Sequence, residues 1–300
     1  MVVVGSYNVG LTVLGPSLPS PGQTVLGHTF DMGPGGKGSN QAIGARRLGA
    51  EVTLVAKVGH DVFGESARRL FEREGLLGPG ILKADTHTGV GLILVDEEGH
   101  NMISVAPGAN GMLTPDDLDR VPGLFDGASH LVCQLECPPA LFVASARRAR
   151  EAGATTILNP APAVPLPDEA YALIDIVTPN QSELGVLAGL DPGDGESVEE
   201  AARSLIERGT GEVIVTLGDQ GVVRVTPEGA ERSPARPVPV RDTTGAGDAF
   251  NAGLVTGLAA GGSMEEALDL GIRAGAFCVT RLGVIDGLPT RAQLDEEVPA

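Results

Sequence analysis

Apolar positions along the chain follow two different rhythms. Residues 2–5 form a β-branched run closed by glycine, and strand-like alternation recurs at 11–14, 24–31, 89–96 and 102–106. Those pieces are separated by turns rich in proline and glycine, and Glu97-Glu98-Gly99 reads as a hairpin connection between the last two. Elsewhere short apolar runs alternate with helical periodicity: 52–57 then 64–74, 131–134 then 140–151, then 155–159, 174–178, 182–188, 196–207 and 213–217. Two long alanine-rich helices are predicted over 246–260 and 264–281. Strands spaced by helices predict an α/β fold, a mostly parallel sheet with helices on both faces. The strand-rich stretches at about 10–31 and 86–106 predict a small β-sheet lid on a single domain spanning 1–300. No internal repeat or long linker interrupts it.

Composition narrows the partners. With 42% hydrophobic and 20% charged residues the chain is of ordinary globular type. Its formal net charge of −18 lacks the cations needed to displace phosphate counterions, so no nucleic-acid partner is expected. A polybasic membrane anchor is excluded on the same ground. One small anion in a local site is not. No apolar run reaches the roughly 18 residues of a membrane span, and the N-terminus lacks a signal-peptide pattern, so a cytoplasmic protein is expected. Three cysteines, odd in number and sparse, imply no disulfide framework. Lysine occurs only at 37, 57 and 83, which draws notice to one inside a glycine-rich segment.

That segment is Gly33-Pro34-Gly35-Gly36-Lys37-Gly38-Ser39-Asn40-Gln41-Ala42, leading into a helical pattern. Glycines let backbone approach a ligand closely, and a helix start offers free N–H groups. Lys37 and Asn40 add donors on the same turn. Gly38 follows Lys37 where a P-loop needs Ser or Thr, so the segment is not a Walker motif. The second segment is Asp242-Thr243-Thr244-Gly245-Ala246-Gly247-Asp248-Ala249-Phe250-Asn251-Ala252-Gly253. Small residues ahead of Asp248 leave N–H groups free to hold a transferring phosphoryl group, and Asp248 is placed to take a proton from an attacking hydroxyl. The bland alternatives are a glycine turn before a helix and a capping Asp.

Together the two segments resemble the N- and C-terminal signatures of the ribokinase family of carbohydrate kinases (the PfkB superfamily), in the ribokinase-like branch. Gln134-Leu135-Glu136, Asn159-Pro160-Ala161-Pro162-Ala163, Thr178-Pro179-Asn180-Gln181-Ser182-Glu183 and Val215-Thr216-Leu217-Gly218-Asp219-Gln220-Gly221 follow in family order. The resemblance implies an ATP-dependent sugar kinase with a Rossmann-like sheet and a lid that also forms a homodimer interface. It makes Asp248 the catalytic base and Gly245, Ala246 and Gly247 the anion hole. It assigns Asn8, Gly36, Lys37, Asn40 and Glu136 to the sugar. Asn180, Thr216, Gly218, Gly221 and Gly283 fall to the nucleotide, with Gly283 on an adenine-side loop. Glu183, with Asn180, belongs to a motif associated with Mg²⁺. Asp242 and the Thr244 carbonyl match a monovalent-cation site, making K⁺ a further candidate beside ATP and Mg²⁺, although Gly287 stands where serine is usual.

One departure bears on the substrate. Ribokinases follow the first strand with Asn-x-Asp, whose carboxylate grips adjacent ribose hydroxyls; here the segment is Asn8-Val9-Gly10. A carboxylate accepting two hydroxyls contributes strongly to selection. Its absence leaves open a primary hydroxyl of ribose or a ribose-like sugar, a ketose or other sugar, a nucleoside, or a non-catalytic sugar- or nucleotide-binding regulator.

Other groups read as structural. His130, Cys133 and Cys137 lack a further ligand cluster and are expected to hold buried thiols. Cys278 is expected in the core, and His28, His60, His87 and His100 at the surface or on the lid. Asp116-Asp117 and residues 196–200 read as acidic helix starts.

Overall fold

The computed structural model describes residues 1–190 and 195–298, the side chains of 195–197 excepted. Its strands are β1 (Val2–Val4), β2 (Asn8–Leu14), β3 (Thr29–Gly35), β4 (Thr53–Gly59), β5 (Ile81–Ala84), β6 (Gly89–Val95), β7 (Asn101–Ala106), β8 (His130–Cys133), β9 (Thr155–Leu158), β10 (Ile176–Val177), β11 (Glu212–Thr216), β12 (Val222–Thr226) and β13 (Gly229–Ser233). The helices are α1 (Lys37–Arg47), α2 (Val62–Arg73), α3 (Pro139–Glu151), α4 (Asp168–Tyr171), α5 (Gln181–Ala188), α6 (Gly195–Glu207), α7 (Ala246–Ala259), α8 (Met264–Cys278), α9 (Val284–Gly287) and α10 (Arg291–Glu297).

Nine strands form one sheet in the order β13-β12-β11-β10-β9-β8-β1-β4-β5. It is parallel from β5 to β11 and antiparallel across β12 and β13. Its strands are apolar on both faces because helices cover both. Val3 points into a layer with Ile43 of α1, Phe71 of α2, Phe250 of α7 and Phe277 of α8. Val2 and Val4 point the other way, among Leu141 of α3, Leu184 of α5 and Leu205 of α6. Among the described residues no helix is long and apolar enough to cross a membrane.

The remaining four strands form a separate sheet, β3-β2-β6-β7. Against the expected 10–31 and 86–106, its first half therefore runs from Asn8 to Gly35, and its second from Gly89 to Ala106. The strand read at 24–31 lies at Thr29–Gly35 and runs into the glycine segment, ladder partner by ladder partner, from Leu14↔Thr29 to Asn8↔Gly35. Tertiary pairing overrides the poor strand propensity of Gly33-Pro34-Gly35. Pro34 is tolerated because β3 is an edge strand. Strands β5, β12 and β13 were not foreseen, and α8 ends at Cys278, three residues before the periodic pattern does. The acidic helix start read at 196–200 begins outside the described side chains.

Two carboxylates tie β4 and the turn after it to neighbouring segments. Asp61 caps α2 by accepting from the Gly64 N–H at 2.8 Å, and it also accepts from the Thr88 N–H and hydroxyl just before β6. Asp117 is more than a helix start: 2% exposed, it accepts from the Lys57 ammonium at 2.6 Å and from the Thr114 N–H at 2.9 Å. Burial pushes both carboxyls up, but these donors outweigh it and hold both below the ordinary Asp value. A depressed folded-state pKa gives stability that is complete above the unfolded value and is lost as pH falls through the folded one. Urea midpoints should therefore fall progressively below about pH 4. Lys57→Met, which strands the Asp117 charge, should cost about 3 kcal/mol at neutral pH by the same measurement; a midpoint unchanged from the parent would contradict a buried pair.

Candidate active site

Glycines at the start of α1 are demanded by the chain itself. Gly36 has φ +94°, and a Cβ there would lie 2.7 Å from both Tyr7 Cα and Asn8 N. A Cβ on Gly38 would come 2.5 Å from Ser6 N. The close approach read from the sequence is thus made to the β1–β2 connection. It presses the helix start against Glu136, which arrives from the loop after β8. Glu136 Oε2 accepts from the Lys37 N–H at 2.8 Å and from the Ser6 hydroxyl, and Oε1 accepts from Asn8 Nδ2 at 3.2 Å. Asn8 Oδ1 accepts from Asn110 Nδ2 at 2.8 Å. A carboxylate at a helix N-terminus is electrostatically favoured. Gly36, Lys37, Asn8 and Glu136 are therefore brought together.

Asp248, in the first turn of α7 and 6% exposed, faces the same helix. Its Oδ2 accepts from Asn40 Nδ2 at 2.8 Å and its Oδ1 from Gln41 Nε2 at 2.9 Å. Among the described residues Asn40 Oδ1 is buried without a donor. Burial works against the Lys37 ammonium, but Asp248, Glu136 and Glu183 outweigh it and hold its pKa above the ordinary lysine value. One of the chain's three lysines thus stands as a firm cation among three carboxylates. Glu183 closes a capping box with Asn180 on α5, its Oε2 accepting from the Asn180 N–H at 2.9 Å. Burial pushes its carboxyl up, more than that N–H and Lys37 pull it down. Asn180 also bridges to Thr216 at the end of β11.

A cavity of about 570 Å³ opens on the other side of the same α7 turn. Thr216, Gly218, Gly221, Ala246 and Gly247 line it, together with Phe250, Ile272 and Val279. Gly247 has nothing within 4 Å of where a Cβ would sit, so its backbone is open to a ligand. Gly283, Asp242, Thr244 and Gly245 lie outside this lining. Asp242 Oδ1 accepts from the Thr244 N–H at 2.9 Å and Oδ2 from the Gly283 N–H at 3.1 Å, closing two loops on each other. Burial raises the Asp242 carboxyl, but those bonds hold it below the ordinary value. Cys278, buried as expected, donates its thiol to the Thr244 carbonyl at 3.5 Å. Cys133 and Cys137 are buried too, and burial pushes the Cys137 thiol up to about 12. Among the described residues no cluster of His, Cys, Asp and Glu could hold a metal.

Asn8 identifies which lid face looks into the site, and Gly10 and Thr12 share that face of β2. Gly33 and Gly91 are the register partners of Gly10. A Cβ at Gly33 or Gly91 would meet nothing within 4 Å, and at Gly10 only Ile93 Cδ1 at 3.6 Å and the Gly33 carbonyl at 3.7 Å. Packing does not require these three glycines. They leave a bare floor where a carboxylate was expected. The nearest acid on that face by register is Asp31, one row outward opposite Thr12 and exposed.

Gln134, Asn159, Thr178 and Asn251 lie within the motifs read from the sequence, which assigned them no role. Gln134 Nε2 donates to Gln41 Oε1 at 2.6 Å, Gln41 Nε2 to Asn159 Oδ1 at 2.9 Å, and Asn159 Nδ2 to the Thr178 carbonyl at 3.0 Å. Thr178 Oγ1 donates to Asn251 Oδ1 at 2.6 Å, and Asn251 Nδ2 returns to the Gly247 carbonyl at 2.8 Å.

The chain is similar to known proteins along nearly its whole length. A family model described as pfkB family carbohydrate kinase matches residues 1–291. The chain is 36% identical over 295 residues to a ribokinase of Haemophilus influenzae, covering 98% of this chain and 96% of that one. It is 33% identical over 298 residues to a deoxyribokinase of Salmonella typhimurium, covering 99% and 97%. Among solved structures, Arabidopsis thaliana ribokinase complexed with ribose and ATP superposes with a TM-score of 0.90 at 29% identity, covering 98% of this chain and 97% of that one.

Proposed function

Because the chain belongs to the pfkB family of carbohydrate kinases, we propose that it transfers the γ-phosphoryl group of ATP to the primary hydroxyl of ribose or a ribose-like sugar. The observation that carries this reading is that one helix turn faces both the cavity and α1. Ala246 and Gly247 face the cavity, while the Asp248 carboxylate faces Asn40 and Gln41 of α1. A nucleotide in the cavity thereby brings its terminal phosphate to the start of α7, opposite a hydroxyl held over α1.

The sugar lies against Asn8, Lys37, Asn40 and the Gly36 backbone, with Glu136 fixing the first two. Asp248 takes the hydroxyl proton as that oxygen bonds to the γ-phosphorus and the bond to the β–γ bridging oxygen breaks, releasing ADP. The N–H groups of Gly245, Ala246 and Gly247 receive charge on the equatorial oxygens. Thr216, Gly218 and Gly221 hold the rest of the nucleotide, with Gly283 beyond the lining on its loop. Excluding water from the phosphoryl donor gives the lid a reason to cover the sugar.

The donor set suits Mg²⁺. One carboxylate, Glu183 with its Asn180 cap, stands near Lys37 and Asp248, and a hard cation commonly combines such a carboxylate with phosphate oxygens and water. Held there, Mg²⁺ would neutralise phosphate charge. K⁺ would use Asp242 and the Thr244 carbonyl, but two N–H groups already engage the first and a thiol the second, so the steps above rest on neither.

The test is ADP release across ribose, 2-deoxyribose, ketoses and nucleosides. Fastest release with a free ribose-like sugar is expected. A nucleoside faster than every free sugar would make this a nucleoside kinase, and sugar binding by calorimetry with no turnover under Mg²⁺ and K⁺ would make it a regulator.

Assembly follows from the lid's other face. Phe30, Met32, Leu92 and Met102 share the side opposite Asn8 by register, and all are more than half exposed. Apolar area of this kind marks an interaction surface, and a second copy of the lid would cover it and the sheet's edges. Sedimentation at micromolar concentration should give a homodimer, and Met32→Lys combined with Leu92→Lys should give monomers. A parent that sediments as a monomer would refute the homodimer.

A further inference from the structure

We infer that Gln41 is a positioning residue for the Asp248 carboxylate and that Gln134 sets the direction of the Gln41 amide. The inference rests on the reading of Asp248 as the base.

An Asp carboxyl is poorly fixed by its own torsion, which is broad and roughly two-fold, so its direction depends on what donates to it. Here each oxygen has one donor: Asn40 on Oδ2 and Gln41 on Oδ1. The two donors differ in what else they can do. Asn40 keeps an unpartnered buried oxygen. Gln41, 1% exposed, has none to spare. Its two amide hydrogens go to Asp248 and Asn159, and its Oε1 accepts from Gln134. Gln41 therefore has no amide hydrogen left for a sugar.

The amide also cannot turn over. A flip would set Gln41 Oε1 against two oxygens and its nitrogen against the Gln134 nitrogen, replacing three bonds with three repulsions. Gln134 is held the same way round although this leaves its own Oε1 buried without a donor, which is ordinarily destabilising. Gly5 makes room for that oxygen, since a Cβ there would lie 2.2 Å from it. From Asn159 the chain of bonds runs through Thr178 and Asn251 back to the Gly247 carbonyl, next to Asp248. A closed circuit across α1, the ends of β9 and β10, and α7 thus fixes both the backbone and the side chain of the base. Such support is what keeps a reacting group within the narrow geometry that proton transfer needs.

The test separates positioning from packing. Gln41→Leu removes the donor at similar volume, and kcat should fall about tenfold while KM for sugar and for ATP stays within about threefold. Gln41→Glu, which sets an oxygen against Oδ1, should lower kcat further. Gln134→Leu touches Gln41 without touching Asp248 and should give a smaller fall with the same kcat-only signature; it also serves if the Gln41 variants do not fold. Carboxyl-¹³C NMR of Asp-labelled protein, with the Asp248 line identified by its loss in Asp248→Asn, gives a readout independent of turnover. That line should shift or broaden in Gln41→Leu. An unmoved line, a kcat within twofold of the parent, or a parallel rise of both KM values would overturn the assignment. A parent with no kinase activity would defeat the functional reading instead, and the NMR result would still decide whether Gln41 holds the carboxylate.

Discussion

Asp248→Asn should lower kcat by about 10²–10⁴-fold, the range that positioned general bases supply. The substitution is isosteric, so sugar binding measured by calorimetry should persist. Both carboxylate oxygens accept from side-chain amides, Asn40 and Gln41, so an Asn amide nitrogen put in place of either oxygen keeps its bond only where the neighbouring amide turns its own oxygen toward it, as Asn40 is free to do. The group that remains is unable to take the proton. Sugar-dependent ADP release within tenfold of the parent would remove Asp248 from the base role. That outcome would shift attention to Glu183, which electrostatically faces both Lys37 and Asp248 and whose carboxyl burial already pushes upward.

How the acidic chain handles a triphosphate is answered within the same few residues. The chain carries −18 overall, yet Lys37 lies half-buried beside Asp248, Glu136 and Glu183, which hold its pKa above the ordinary lysine value. Backbone N–H groups at the start of α7 add positive potential without any further cation.

Much of this was readable from residues that are neighbours in sequence. Lys37, Asn40 and Gln41 sit on one turn of α1, and Ala246, Gly247 and Asp248 on one turn of α7, so the two motifs carry their own geometry. The α/β alternation likewise followed from runs that are apolar on both faces. Two things were not readable. Strand β3 has a glycine-proline sequence that pairs only because β2 offers a ladder. The amide circuit comes from residues that look like ordinary polar punctuation: Gln134 after β8, Asn159 after β9 and Thr178 after β10. A signal was nonetheless present. These three residues follow the carboxyl ends of three adjacent parallel strands, where open α/β sheets place ligands. The roles of the glycines were the least legible. Gly36 and Gly38 serve backbone contact, whereas Gly247 faces open space.

Gly10→Asp should lower the KM for ribose about 10–100-fold with little change in kcat, the yield of about 1.5–3 kcal/mol from hydrogen bonds to a charged group. The fold has room for it. The new Cβ meets Ile93 Cδ1 and the Gly33 carbonyl only at ordinary contact distance, and the bare Gly33–Gly10–Gly91 row leaves the side chain free to reach over the site. Asp31 does not already fill this role, because register sets it one row outward on the edge strand. An added negative charge two residues from Asn8 makes the local potential more negative and so works against ATP, so the KM for ATP should rise modestly while Lys37 offsets part of the effect. The same substitution distinguishes what the floor is for. A sugar carrying a substituent over the three glycines loses its space when a carboxylate enters, so ribose should gain rank against larger sugars on the same panel. An unchanged ranking, with ribose KM also unchanged, would show that the floor lies away from the bound sugar and would take Gly10 out of substrate selection.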